Sequence, residues 1–283
     1  MDRLAIYLDS NVVIDTIEGR DNELMGLLFR SLYLGPYCYP FSAELVSEIT
    51  DLERDERNQA RLMYVEDLSK RVYFENSYTN IGFRHETPHE VFKTINEVNA
   101  CIDVNGVFSN IIPYKTIKEI RAVYGFDPSF LNNMSPRDAI SHIDSVLANF
   151  EYEGFEGVST PPRSMKDMVA AVSSICDEHF RDVGKGLGER AEHDSPRKDL
   201  VMYFSLLDSF GYWGDPKKKY NKGSRLGDAQ HALVGSYFYA IVSRDPHFVQ
   251  KSEAAYEYIG IQTKSYTTDE FKEHLEGVVS NVS

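Results

Sequence analysis

The stretch GDAQHALVGSYFYAIVSRDPHF, Gly227 to Phe248, joins a helix, a buried strand and the start of a second helix. Leu226, Ala229, Leu233 and Tyr237 recur at helical spacing, with Asp228 and His231 on another face of the same helix. Tyr239-Ala240-Ile241-Val242 is the continuous apolar run of a strand covered on both sides. It stops at Ser243-Arg244-Asp245, and Pro246 falls where a following helix places its first residue. One carboxylate therefore heads a helix, and another stands at the carboxyl end of a strand. In open α/β sheets that edge is where ligands bind.

Working outward, the amino terminus repeats the pattern. Leu4-Ala5-Ile6-Tyr7-Leu8 is a near-continuous apolar run ending in Asp9. Ser10 and Asn11 then precede Val12, Val13, Ile14 and Ile17, a helical pattern that stops at Gly19. Asp21 to Leu34 reads as a further helix. Ser42 is an N-cap for a helix whose Leu45, Val46 and Ile49 face inward, and Glu44 and Glu48, one turn apart, share a face. Glu53 to Lys70 reads as a charged, solvated helix, and Arg71 to Phe74 as a strand.

The whole chain narrows the function classes. Its 283 residues, 42% hydrophobic and 26% charged, have an ordinary globular composition. A net charge of −14 opposes bulk attraction to nucleic acid or anionic membranes. A polyanion then has to be held by bound cations or a local basic patch. Cys38, Cys101 and Cys176 have no paired spacing, which fits a reducing cytoplasm and excludes a disulfide framework or a thiolate zinc site. No apolar run has the length of a membrane span, so no membrane partner is expected.

The pieces Asp9-Ser-Asn, Ser42-Ala-Glu-Leu-Val-Ser-Glu48, Asp228-Ala-Gln-His-Ala and Val242-Ser-Arg-Asp245-Pro-His-Phe248 together resemble the PIN-domain nuclease family, in that family's order. The resemblance implies a doubly wound α/β fold with a mostly parallel sheet. It also implies an acidic set, Asp9, Glu48, Asp228 and Asp245, that holds Mg²⁺ or Mn²⁺ for phosphodiester cleavage, usually of RNA. Glu44 is the reserve for Glu48, Ser243 matches a small hydroxyl residue of the last motif, and Asn11 and His231 are supporting residues. The four acids are expected in one pocket, with the strands ending at Asp9 and Asp245 parallel and adjacent. Toxin-like members of the family bring the expectation of an inhibitory protein partner. An alternative is a catalytically silent module of the same fold that binds RNA or protein.

The resemblance covers residues 1–77 and 195–283, leaving 78–194 as an inserted, mainly helical subdomain. Thr87-Pro88, Ser135-Pro136 and Ser164 open helices there, the last carrying Met168, Val169, Val172, Ile175 and Cys176. His85-Glu86-Thr87-Pro88-His89 matches a zinc-peptidase pattern, but Pro88 prevents the single helix that pattern needs. Gly184 to Gly188 reads as a flexible loop. Lys217, Lys218, Lys219, Lys222 and Arg225 form the densest cationic run, placed to meet phosphates entering the acidic edge, and Tyr212, Trp213 and Tyr220 beside it are candidates for base stacking.

Carboxylates crowded together repel and raise one another's pKa unless a cation lies among them. All-oxygen ligands select Mg²⁺ or Mn²⁺. Such an ion lowers the pKa of a bound water and stabilises charge on phosphate oxygens.

Overall fold

The computed structural model describes residues 3–50, 55–77, 80–99, 114–151, 162–171, 197–214 and 224–280. Lys217, Lys218, Lys219, Lys222, Tyr220, the Gly184–Gly188 loop and positions Val172, Ile175 and Cys176 lie outside these residues. In chain order, β1 (Leu4–Leu8) leads into α1 (Ser10–Ile17) and α2 (Asn22–Leu34). Short β2 (Tyr37–Cys38) and β3 (Phe41–Ser42) follow, then α3 (Ala43–Ile49), α4 (Asp55–Ser69), β4 (Val72–Asn76), β5 (Ile81–His85) and α5 (Pro88–Asn99). Next come α6 (Tyr114–Tyr124), α7 (Pro128–Leu131), α8 (Pro136–Asn149) and α9 (Leu200–Phe210). The chain closes with α10 (Ser224–Gly235), β6 (Ala240–Ser243), α11 (Pro246–Ile259), β7 (Lys264–Thr267) and α12 (Thr268–Ser280).

The fold is α/β. A four-stranded sheet runs β2-β1-β6-β7 with every neighbouring pair parallel. The β1 residues Ile6, Tyr7 and Leu8 lie opposite Ala240, Ile241 and Val242 of β6, so the two strands that lead to Asp9 and Asp245 are parallel neighbours. A second sheet, β3-β4-β5, is parallel between its first pair and antiparallel between its second. Residues 37–42 serve both sheets, with Tyr39-Pro40 between the two short strands. Pro40 has no N–H for a ladder, which accounts for the change of partner at that point.

Two compact units divide the chain. The first takes the described residues of Met1–Val104, Gln230–Val249 and Gln262–Ser283 and contains both sheets. Ile6, Leu8, Val12, Leu24, Leu28, Val46, Val242 and Leu275 belong to one buried cluster there. The second takes the described residues of Asn105–Ala229 and Gln250–Ile261, around Ile143, Leu147, Leu207, Phe210 and Ala254. These divisions differ from the expected segments 1–77, 78–194 and 195–283. Helix α5 joins the first unit because Val91 enters the first core and α5 packs on α3 and α4. Helix α9 joins the second because its Tyr203, Leu207 and Phe210 enter the second core and it packs on α6.

Local sequence signals account for several element ends. Ser135 caps α8 by accepting the Asp138 N–H at 3.2 Å, with Pro136 in the first turn. Thr87 and Glu90 form a reciprocal capping box, the Thr87 N–H donating to Glu90 Oε2 at 3.1 Å and the Glu90 N–H to Thr87 Oγ1 at 3.2 Å. His85 thus ends a strand and His89 stands in the first turn of a helix, so the two imidazoles do not project from one helix. Expected as solvated, α4 instead buries Leu62, Val65 and Leu68, and also Arg61. Tyr212, a candidate for base stacking, is fully buried: Gly211 ends α9 at φ 98° and turns the next ring back into the second core.

The second unit buries an ion pair. Lys251 Nζ of α11 lies 3.3 Å from Asp208 Oδ1 of α9 and 4.9 Å from the Phe204 ring centroid, with Lys251 1% exposed. Breaking a buried pair by removing one partner costs about 3–5 kcal/mol. Asp208→Ala is therefore expected to shift urea unfolding of this unit, followed by fluorescence of the chain's one tryptophan, Trp213. Adding Lys251→Met should recover most of the loss. An unfolding midpoint unchanged by Asp208→Ala would show that the pair stabilises nothing.

Candidate metal centre

Backbone pairing places Asp9. Its N–H donates to the Val242 carbonyl at 2.9 Å, carrying the β1–β6 ladder one residue past Leu8. Its carboxylate then caps α1, Oδ1 accepting the Ser10 N–H at 2.7 Å. Oδ2 accepts from Asn11 Nδ2 at 2.7 Å and from Ser243 Oγ at 2.6 Å. Asn11 also donates to Ser243 Oγ at 3.2 Å and accepts the Arg244 N–H at 3.0 Å. One asparagine side chain thus ties the turn after β1 to the turn after β6.

Glu48 arrives on α3, a short helix held at both ends. Ser42 Oγ accepts the Leu45 N–H at 3.3 Å, and Arg61 Nη1 donates to the Ile49 carbonyl at 2.5 Å. Ser10 Oγ donates to Glu48 Oε2 at 2.5 Å, so α1 and α3 meet across that hydroxyl. The other carboxylate oxygen, Oε1, lies 3.0 Å from His231 Nε2.

His231, 2% exposed on α10, completes the group. Its Nδ1 is 2.6 Å from the Tyr7 hydroxyl, which is in turn 3.0 Å from Ser42 Oγ. Nε2 satisfies no hydrogen-bond geometry, and its 3.0 Å contact with Glu48 is an ion pair when the imidazole is protonated. Asp9, Glu48 and His231 each offer one donor atom, all within 4.8 Å of one another, the one such group among the described residues.

This trio differs from the expected four acids. Asp245 is half-buried and heads α11: its Oδ1 accepts the His247 N–H at 2.9 Å, while its own N–H donates to Ser243 Oγ at 3.1 Å. It follows Ser243 into the turn and is not one of the three. Asp228 stands one turn before His231 on α10 and falls in the second compact unit. Glu44 turns toward β4, where its Oε1 accepts from Asn76 Nδ2 at 3.2 Å, and its Oε2 is buried without a hydrogen bond. Arg225 lies in the first turn of α10. Arg244, more than half exposed, is tethered through Nη1 to Asp15 Oδ2 at 2.5 Å.

His231, expected as a supporting residue, is central, and Tyr7 and Ser10 were not expected in the site at all. Tyr7 carried a usable signal, since a hydroxyl in the middle of a buried apolar strand requires a polar partner. Ser10 carried none beyond its place after Asp9.

The electrostatics also depart from expectation. Burial opposes ionisation of Glu48, yet the His231 and Ser10 contacts outweigh it and hold this carboxyl below its usual range. Burial pushes the His231 imidazole down, but Glu48, with the charges of Asp9 and Glu44, takes it up to about 9. Burial first, then the Glu44 charge, raises the Tyr7 hydroxyl well above its usual value, so it remains protonated. An imidazole between the carboxylates thus supplies the positive charge that was expected of a metal alone.

The donor set fits a divalent cation. Two carboxylates and a neutral imidazole neutralise its charge, and Nε2 is a buried ring nitrogen with no hydrogen bond. With a cation bound, Asp9, Glu48 and His231 would be its protein ligands.

Protonation of His231 makes stability depend on pH. A folded pKa of about 9 against the ordinary 6.5 means that its contribution is fully present below pH 6.5 and is lost as pH rises through about 9. The stability gap between wild type and His231→Gln, from chelator-treated melts, should therefore narrow from pH 6 to pH 9.5. A gap that stays constant or widens would contradict the charged imidazole. Comparison with protein-family models, with curated proteins and with solved structures returns no match.

Proposed function

We propose that the chain is a PIN-like, divalent-metal-dependent nuclease that hydrolyses phosphodiester bonds, with RNA as the substrate class that the resemblance implies. The observation that carries the reading is the convergence of Asp9, Glu48 and His231 from three separate elements, beside the turn that follows β1. Ligands bind at the carboxyl edge of open parallel sheets, and Asp9 stands where β1 reaches it. The order of the acidic motifs along the chain is a second, independent support.

Bound there, Mg²⁺ or Mn²⁺ would supply Lewis acidity toward a phosphate oxygen and a water of lowered pKa. The chain's own residues do the positioning. Asn11 and Ser243 fix the Asp9 carboxylate through Oδ2, and Ser10 holds one oxygen of Glu48 and leaves Oε1 directed at His231. Tyr7 fixes the imidazole. Arg244, on the turn after β6, offers an exposed guanidinium suited to a phosphate in an otherwise acidic protein.

A second reading has its own observation. A protonated His231 already offsets the charge of Glu48 and Asp9, as suits a silent module of this fold that binds RNA or protein without metal. The two readings part on one assay: cleavage of mixed RNA and DNA with Mg²⁺, Mn²⁺ or chelator, wild type beside Asp9→Asn. The nuclease reading expects cleavage only with a divalent ion, and a loss on the order of a hundredfold or more in Asp9→Asn. Cleavage that survives chelator or Asp9→Asn would sink it. Absence of cleavage with retained RNA or protein binding would favour the silent module.

A further inference from the structure

We propose that His231 ligates the metal through Nε2, that Tyr7 positions it, and that the centre consequently selects Mn²⁺ over Mg²⁺. The proposal rests on the metal-dependent reading above and adds the identity of the ion and the residue that decides it. It starts from a buried ring nitrogen of a residue 2% exposed, which meets no hydrogen-bond geometry and stands against a carboxylate oxygen 3.0 Å away. Donors occupying adjacent corners of an octahedral ion, with bonds of about 2.1 Å, stand roughly 3 Å apart. The Nε2–Oε1 separation matches that edge, and Asp9 supplies a third donor within 4.8 Å.

The opposite ring nitrogen explains why Nε2 points there. Nδ1 lies 2.6 Å from the Tyr7 hydroxyl, which lies 3.0 Å from Ser42 Oγ. In the metal-binding tautomer the Nδ1–H donates to Tyr7 Oη, Tyr7 O–H donates to Ser42 Oγ, and Nε2 keeps its lone pair. A ligating histidine characteristically donates its other N–H in this way, which fixes tautomer and ring orientation. The Tyr7 ring adds steric support, its centroid 5.8 Å from the imidazole and 5.2 Å from the Phe238 ring, and Tyr7 is itself fully buried in β1. Tyr7 touches neither ion nor substrate and is a positioning residue.

Ion choice follows from the donors. Mg²⁺ prefers oxygen and keeps its waters, whereas Mn²⁺ accepts carboxylate and imidazole alike. A centre of oxygens alone gives little basis for telling them apart; one buried imidazole provides it.

The test uses the full chain and the two ions alone. Mn²⁺ affinity is read by electron paramagnetic resonance, Mg²⁺ affinity by competition, and the ligand type by electron spin-echo modulation of bound Mn²⁺. Wild type is expected to bind Mn²⁺ at least about tenfold more tightly than Mg²⁺ and to show imidazole-nitrogen modulation. In His231→Gln the modulation should vanish and the Mn²⁺ preference collapse. Tyr7→Phe should retain the modulation yet weaken Mn²⁺ binding by about 10–100-fold, with a smaller loss for Mg²⁺. Wild-type Mn²⁺ bound in an Asp9-dependent way without nitrogen modulation would overturn the proposal and leave the metal-dependent reading standing. If neither ion binds in a way that Asp9→Asn abolishes, both fall. The wild-type spectrum decides the ligand without any variant having to fold.

Discussion

When β1 and β6 pair in parallel through Ile6–Leu8 and Ala240–Val242, the chain leaves both strands at one edge of the sheet. The pairing runs one residue further, to Asp9, whose N–H meets the Val242 carbonyl. Its carboxylate is thereby brought against Ser243, fully buried at the end of β6. Every other element of the centre is referred to that point. Helix α1 starts on Asp9, Ser10 reaches from it to Glu48, and Asn11 closes the two turns together. A one-residue slip between β1 and β6 would send Asp9 to the opposite face and dismantle the group.

Beneath that edge, a single polar side chain in the strand organises the rest. Ile6 and Leu8 belong to the buried core cluster, while Tyr7 between them, on the opposite face, presents a hydroxyl that burial makes costly unless it is bonded. Ser42 and His231 satisfy it, one at the start of α3 and one on α10. The same two bonds that remove this cost fix the helix carrying Glu48 and orient the imidazole. Packing and chemistry are one constraint here, which is why the centre draws on residues more than two hundred positions apart in the chain.

Sequence reasoning reached this arrangement in part. The apolar runs ending at Asp9 and near Asp245, the Ser42 cap and the shared face of Glu44 and Glu48 are local signals, and the strands, helix starts and parallel pairing follow them. Asp245 and Asp9 looked alike because each follows an apolar run. The difference lies in where their backbone groups are used: Asp9 continues the ladder, whereas Asp245 enters a turn and serves the His247 N–H at the head of α11. Helical periodicity sets His231 and Asp228 on one helix without deciding which of them faces a carboxylate from α3. That depends on long-range packing. Tyr7 was absorbed into an apolar run, since a hydropathy pattern gives a tyrosine no separate entry for its hydroxyl. The division into units escaped for a similar reason, because α5 and α9 are assigned by the cores they enter rather than by their place along the chain.

The central claim is that Asp9, Glu48 and His231 hold one divalent ion. Anomalous diffraction from crystals grown with Mn²⁺ tests it most directly, since the ion locates itself without reference to activity. The account predicts one strong anomalous peak within bonding distance of an oxygen of Asp9, Oε1 of Glu48 and Nε2 of His231. Full Mn²⁺ occupancy at Asp228 or Asp245, with His231 Nε2 still against Glu48, would contradict it.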